Sequence, residues 1–244
     1  MKYLGSKNRI ANDILDVILS DMMPGDTFVD AFCGGCNLLD KVPSWFHRIG
    51  NDKNKYLIAM WKMLTERGWN PPKEITRDKY NVYRRLFNGS KFNDDSNITM
   101  LDAEIGWYGF MGSFNGRFFD GGYSGHDVNG RDYIGEQIRN TLAQVPRLKG
   151  VEWHHSDYYK IPIPTGSTIY CDIPYRGTKR YATSTDFDYG RFYEWCRRMS
   201  SIGNKVFVSE YSMPSDFECV WEKQVTNSMN QSVTHRPIER LFTL

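Results

Sequence analysis

The sequence predicts an α/β protein with a parallel sheet and an inserted middle segment, and three observations support this. Two segments, Thr27 to Phe32 and Trp45 to Asp52, have the character of strands that end in a turn and lead into a helix. Strand-like segments return late in the chain as VEWHHSDYY, STIYCD and NKVFVSEY. Between the two groups, glycine and scattered aromatic residues interrupt the pattern. We therefore predict an α/β body from residues 1–68 and 150–244 and an insert from residues 69–149.

The predicted elements also have local signals. The first strand stops at Gly34 and Gly35, where the backbone can turn without a Cβ penalty. Asn54 to Arg67 has helical periodicity and ends in basic residues before Gly68. Tyr189 to Ile202 is predicted as another helix, lying between two strands. The last two segments, DFECVWEKQV and RPIERLFTL, are predicted to pair antiparallel at the edge of the sheet.

Composition narrows the class of protein. The 244 residues, 40% of them hydrophobic, are enough for a substantial core. A net charge of +2 is too small to indicate nucleic-acid binding by itself, although basic residues cluster between Pro71 and Phe92. No apolar run is long enough for a membrane span, and the five cysteines are irregularly spaced, as is typical of reduced thiols. We expect a cytoplasmic protein without a membrane segment and, since the histidines lack ligand spacing, without a metal.

Four acidic residues fall at the ends of predicted strands: Asp30, Asp52, Asp157 and Asp172. Parallel sheets bind ligands at the carboxyl ends of their strands, although any single acid there is more often a helix cap or a turn former. The DAFCGGCN segment matches neither the dinucleotide fingerprint nor a phosphate loop. A ligand with a ribose and an adenine but no phosphates remains compatible, with Asp52 placed to hold ribose hydroxyls.

The tetrapeptide DIPY, from Asp172 to Tyr175, suits a pocket for the exocyclic amine of a nucleobase. Such an amine is a poor nucleophile because its lone pair is delocalised into the ring. Two acceptors would favour a pyramidal nitrogen: Asp172 supplies one, and the carbonyl of Ile173 or Pro174 supplies the other. Tyr175 offers a stacking face, and the base must first leave the duplex. The alternative is an ordinary strand end with a turn proline and a core tyrosine.

Four motifs occur in a recognisable order: KYLGSK, FVDAFCGG, NDKN and DIPY. Together with the insert before DIPY, they resemble the Dam-type (D12 class) DNA adenine-N6 methyltransferases. The resemblance covers the whole chain and implies a Rossmann-like, S-adenosylmethionine-dependent methyltransferase sheet with an inserted, mostly helical target-recognition domain. It also implies S-adenosyl-L-methionine as the cofactor and double-stranded DNA as the partner, in the cytoplasm of a bacterium or a phage-infected host cell.

The resemblance assigns roles residue by residue. The catalytic set is Asp172, Ile173, Pro174 and Tyr175. The cofactor-binding set is Tyr3, Lys7, Asp30, Phe32, Gly34, Asp52, Asp157, Tyr158 and Asp172. In the loop expected from Gly109 to Phe119, the candidates for base or phosphate contacts are Ser113, Asn115 and Arg117, and those for wedging into the base stack are Phe110, Met111 and Phe114. Arg84, on the preceding predicted helix, is a candidate phosphate contact.

One departure keeps alternatives open, because Ile173 stands where the family usually has a proline. Isoleucine still provides the backbone carbonyl, so we expect an active enzyme, with a catalytically impaired DNA-binding homologue as the alternative. Methylation of cytosine N4 poses the same chemical problem and also stays open, as does a thiol oxidoreductase based on Cys33 and Cys36. We expect a monomer or weak dimer. The sequence does not choose between a restriction-associated enzyme and a solitary one, such as those that mask phage DNA.

Overall fold

The centre of the computed structural model, which describes residues 1–90, 97–125, 130–176, 187–225 and 237–244, is a seven-stranded sheet. Its strands are β1 (Thr27–Asp30), β2 (His47–Asp52), β3 (Glu152–His155), β4 (Thr168–Asp172), β5 (Lys205–Glu210), β6 (Glu218–Gln224) and β7 (Ile238–Thr243). They lie in the order β3-β2-β1-β4-β5-β7-β6. The first five strands in that order are parallel to one another. Strand β7 pairs antiparallel with β5, and β6 pairs antiparallel with β7. This arrangement confirms the predicted α/β sheet with an antiparallel edge.

The strand order reverses between β1 and β4. The chain runs outward from β1 through β2 to β3 and then returns to the other side of β1 as β4. In the register, Asp30 lies opposite both Gly50 and Tyr170, and Asp172 lies opposite Ser209. Connections that diverge from two adjacent parallel strands leave a crevice outside their carboxyl ends. The acidic ends of β1, β2 and β4 therefore border one crevice.

Six helices surround the sheet in the described parts of the chain: α1 (Ala11–Ile18), α2 (Lys55–Thr65), α3 (Arg77–Ser90), α4 (Met100–Gly112), α5 (Tyr133–Gln144) and α6 (Tyr189–Ser201). The predicted helices at 54–67 and 189–202 correspond to α2 and α6. The Asn54 side chain accepts hydrogen bonds from two backbone N–H groups of the first turn of α2, and the Asp188 side chain caps α6 by accepting from the backbone N–H of Arg191.

The described part of the middle segment contains helices α3, α4 and α5, and α4 packs directly on α2. A Cβ at Gly106 of α4 would lie 2.2 Å from the carbonyl oxygen of Tyr56, so the two helices approach at a distance that only glycine allows. One hydrophobic cluster extends from Phe28 of β1 through Trp61 of α2 to Trp107 of α4. Residues 91–96 and 126–129 of the predicted insert lie outside the described residues. That the segment is a separate recognition domain stays a prediction.

The opposite face of the sheet has its own core. Val29, Ile169 and Val206 pack there with Phe192 and Trp195 of α6. The sheet is thus covered on both faces, as parallel sheets require. Among the described residues there is no helix that is long and apolar enough to span a membrane.

Candidate functional site

Asp30 ends β1 at the crevice and is almost fully buried, with 2% of its surface exposed. Its Oδ1 atom has no hydrogen-bond partner among the described residues. Burial, together with the neighbouring Asp172 carboxylate, raises the pKa of Asp30 well above its usual value. A buried acceptor without a partner is costly, so its presence at a ligand-binding edge indicates a functional group.

The glycine turn after β1 forms the next wall of the crevice. The backbone N–H of Gly34, at φ +47°, donates to Asp52 Oδ2 at 3.0 Å, and the N–H of Asn54 donates to Oδ1 at 2.8 Å. Burial raises the pKa of Asp52, and these two hydrogen bonds oppose the rise. Tyr3 covers the turn, because a Cβ at Gly34 would lie 2.8 Å from its ring and a Cβ at Gly35 2.6 Å from its Cβ. The absence of a Cβ at both positions is what allows Tyr3 to pack this closely on the turn.

Asn51 links three strand ends and was not singled out from the sequence. Its Nδ2 donates to the carbonyls of Ala31 and Ser156 at 3.0 and 3.1 Å, and its Oδ1 accepts from the N–H and hydroxyl of Ser156, both at 3.1 Å. The side chain is 1% exposed, so its amide is buried with its hydrogen bonds made. The feature of the sequence that could have identified Asn51 is a polar residue directly before Asp52, within a strand whose other residues are mostly buried.

After β3, Asp157 and Tyr158 have different environments. Burial favours the neutral form of Asp157, but Lys53, at 3.1 Å from Oδ1, and a hydrogen bond from Tyr159 lower its pKa overall. Tyr158 is buried and packs against Phe32, with ring centroids 5.4 Å apart. Of the two residues predicted to contact the adenine, Asp157 is the partly exposed one, and Phe32 and Tyr158 belong to an aromatic cluster under the crevice.

Lys7 and Asp172 form a partly buried ion pair at the end of β4. Lys7 Nζ lies 3.0 Å from Asp172 Oδ1, 3.9 Å from Glu239 Oε2 and 4.4 Å from the ring centroid of Tyr175. Burial raises the pKa of Asp172, and Lys7 opposes the rise. Burial also works against the Lys7 ammonium, but the two carboxylates raise its pKa overall. Each group therefore favours the charged form of the other.

The rest of the DIPY segment is held by residues that sequence reasoning missed. The Tyr175 hydroxyl donates to Glu239 Oε2 at 2.6 Å, and the carbonyl of Pro174 accepts from the Tyr189 hydroxyl at 2.8 Å. Ile173 is buried in the core between the sheet and α6. Glu239 lies on antiparallel β7, about sixty residues after the motif, so no local pattern could have identified it.

The segment from Gly109 to Phe119 differs from the predicted loop. Helix α4 continues to Gly112, and Phe110 and Met111 are 2% and 1% exposed. Ser113 is also buried, and its Oγ contacts the Tyr80 hydroxyl and accepts from the N–H of Phe119, both at 3.0 Å. Phe110, Met111 and Ser113 are therefore packed inside and present no surface to DNA in this structure, and their role as DNA-contacting residues stays a prediction.

An exposed surface remains next to these buried residues. Phe114 is 48% exposed, and Asn115, at φ +53°, and Arg117 are exposed beside it. Arg117 pairs with Asp120 at 2.6 Å. The turn also touches the segment that carries Tyr3 and Lys7, because a Cβ at Gly116 would lie 2.2 Å from the carbonyl oxygen of Lys2. Arg84 is exposed on α3. The predicted DNA contacts at Phe114, Asn115, Arg117 and Arg84 stay predictions.

The cysteines do not support thiol chemistry. Cys33 and Cys36 are buried, and burial raises the pKa of both thiols. A nucleophilic or redox-active thiol needs an accessible thiolate, which this environment disfavours. Within the described ranges no group of three or more histidine, cysteine or acidic residues is arranged to hold a metal ion.

Comparison with known proteins identifies related sequences and structures. A family model described as D12 class N6 adenine-specific DNA methyltransferase matches residues 3–230. The chain is also similar to the crystal structure of SMU.472, a protein assigned as a methyltransferase and complexed with SAH, at 14% identity and a TM-score of 0.38. That match covers 98% of this chain and 52% of the other, so this chain spans about half the length of SMU.472. No curated protein matches this sequence.

Proposed function

Because the chain belongs to the D12 class N6 adenine-specific DNA methyltransferase family, we propose that it methylates the N6 amino group of adenine. In this proposal the methyl donor is S-adenosylmethionine, and the adenine is flipped out of a specific duplex DNA sequence. One observation carries the proposal beyond the family. Asp172 ends β4, and Tyr175 follows it, directly beside β1, whose own end holds Asp30 and the glycine turn.

The residues of the crevice fit S-adenosylmethionine. The unpartnered Oδ1 of Asp30 is a buried acceptor, and the adjacent Gly34–Gly35 turn is packed closely by Tyr3, a residue of the predicted cofactor-binding set. Asp52 would hold the ribose hydroxyls, and Asp157 is the accessible candidate for the adenine. When bound, this cofactor supplies an electrophilic methyl group on a positively charged sulfur. The carboxyl groups of Asp30 and Asp172 would lie near this cation, whose positive charge would favour their ionised forms.

The DIPY segment would prepare the nucleophile. Asp172 accepts a hydrogen bond from one N–H of the target amine, and the carbonyl of Ile173 accepts from the other, which frees the nitrogen lone pair. After accepting the methyl group, the nitrogen would carry one proton too many and would lose it. Burial raises the pKa of Asp172, which makes it a better acceptor for that proton. Tyr175 would stack on the base.

The surface around the turn after α4 is the proposed DNA interface. Phe114 would wedge into the base stack, and Asn115 and Arg117 would contact bases or phosphates. Arg117 would exchange its exposed partner Asp120 for phosphate, which costs little because the pair is solvated. Arg84 would contribute a further phosphate contact.

The test is to incubate the purified protein with methyl-labelled S-adenosylmethionine and unmethylated duplex DNA and to identify any labelled nucleoside after digestion. We expect labelled N6-methyladenine. Labelled N4-methylcytosine would instead assign the cytosine-N4 reaction. Absence of label, with SAH binding confirmed by calorimetry, would favour the catalytically impaired DNA-binding homologue that Ile173 suggests.

A further inference from the structure

We infer that Glu239 is a positioning residue for the transfer reaction. It holds Tyr175 in place, and it pairs with the Lys7 ammonium when the target amine displaces Lys7 from Asp172. The inference rests on the proposed function and deepens it. Glu239 lies outside every motif from which the site was identified, and β7 brings it to the crevice through its pairing with β5.

The starting point is where Lys7 lies. Its ammonium is 3.0 Å from Asp172 Oδ1 and over the ring of Tyr175 at 4.4 Å from the centroid. A base that hydrogen-bonds to Asp172 and stacks on Tyr175 would need the same space. In the DNA-free protein, Lys7 therefore stands where the exocyclic amine must go, and it has to move before transfer.

The displaced ammonium needs another negative partner nearby. The side chains of Lys7 and Glu239 are only 10% and 14% exposed, and an unpaired charge at that depth is costly. Glu239 Oε2 is 3.9 Å from Lys7 Nζ, so a movement of about 1 Å reaches the distance of a charge-assisted hydrogen bond. Glu210 is less suitable, because its two oxygens already accept backbone N–H groups of Arg176 and Tyr211 at 2.9 and 2.6 Å.

The same carboxylate fixes the stacking face. Glu239 Oε2 accepts the hydroxyl of Tyr175 at 2.6 Å, and Tyr211 packs edge-on against that ring at 4.6 Å between centroids. Burial and the nearby carboxylates raise the pKa of Tyr175 well above its usual value, so its hydroxyl stays a neutral donor. Glu239 thus positions the Tyr175 ring, on which the base would stack, and offers a partner to the displaced Lys7 ammonium.

The experiment compares Glu239→Gln with wild type in single-turnover methyl transfer with excess enzyme. Glutamine keeps the volume and an acceptor for Tyr175 but removes the charge. We expect the transfer rate to fall about ten- to hundredfold, with the dissociation constant for SAH and the melting temperature unchanged. Glu222→Gln, on neighbouring β6 in an exposed pair with Arg240, is the matched control and should behave as wild type.

A double-mutant cycle separates the role of Lys7 from a general structural effect. In a Lys7→Gln background, Glu239→Gln should lower the rate by less than about twofold, because the cation that it receives is gone. A full loss in that background, or an active wild type matched by Glu239→Gln, would overturn the inference while leaving the proposed function intact. A wild type that binds SAH but transfers no methyl group would overturn the proposed function, and the inference with it.

Discussion

The carboxyl edge of the sheet and the segment from Gly109 to Phe119 differ in how well their sequence predicts their structure. At the sheet edge, Asp30, Asp52 and Asp172 lie at the ends of adjacent parallel strands, as their motifs imply. In the other segment, residues expected on a loop are core residues of α4. A strand end has a defined place in a parallel sheet, whereas the exposure of an aromatic residue depends on partners distant in the chain.

The largest expected effect is at the sheet edge. Asp172→Asn keeps the size of the side chain but removes the carboxylate that would accept hydrogen bonds from the amine. We expect methyl transfer to fall about a thousandfold, with SAH still bound, measured by labelled transfer and calorimetry. Asp216→Asn, which removes an exposed carboxylate paired with Arg197, is the control. Retained turnover in Asp172→Asn would refute the catalytic assignment.

Two phenylalanines four residues apart test the difference in burial within the segment from Gly109 to Phe119. Phe110→Ala should lower the free energy of unfolding by about 3–5 kcal/mol because it leaves a cavity in the core. Phe114→Ala should change it by less than about 0.5 kcal/mol and weaken DNA binding instead. Chemical denaturation and a DNA-binding titration on both variants measure this. Equal stability losses would mean that the two side chains do not differ in burial.

The glycine turn gives a smaller effect on both stability and ligand binding. An alanine at Gly35 would place its Cβ 2.6 Å from Tyr3 Cβ and 2.9 Å from Asn37 Nδ2. We expect Gly35→Ala to cost about 1–3 kcal/mol of stability and to weaken SAH binding in calorimetry. Gly89→Ala is matched, since no atom lies within 4 Å of its built Cβ. Wild-type SAH affinity in Gly35→Ala would mean that the packing of Tyr3 on this turn does not affect cofactor binding.

The buried acid at the end of β1 predicts a pH-dependent stability. The raised pKa of Asp30 means that its ionised form destabilises the folded state above that pKa, and the penalty disappears as pH falls below the unfolded value of 3.8. Asp30→Asn should therefore melt at a higher temperature than wild type at pH 7, with the difference shrinking on acidification. Thermal melts at several pH values measure it. A constant difference would exclude ionisation as the cause.

The smallest expected effect concerns the proposed DNA surface. Arg84→Ala should weaken binding across all sequences and reduce the slope of log affinity against log salt by about one. Arg197→Ala, which removes an exposed arginine from α6, should leave the slope unchanged. A salt titration of DNA binding decides this, and an unchanged slope for Arg84→Ala would identify Arg84 as a solvated surface residue.

The sequence by itself determined the sheet and the position of the acids at the ends of its strands. Apolar strand runs that end on Asp30, Asp52 and Asp172 are local patterns, and parallel pairing brings such ends to one edge without further information. The capped helix after Asn54 was predictable for the same reason, because its cap and its periodicity lie within a few neighbouring residues.

Only the tertiary structure decided which side chains support the site and which are buried. Glu239 reaches Tyr175 through antiparallel pairing of the last strand, and Asn51 joins three strand ends through contacts across more than a hundred residues. Phe110 is buried, and Phe114 is exposed. Burial and long-range hydrogen bonds depend on which residues pack against a side chain. The order of hydrophobic and polar residues along the chain does not identify those packing partners.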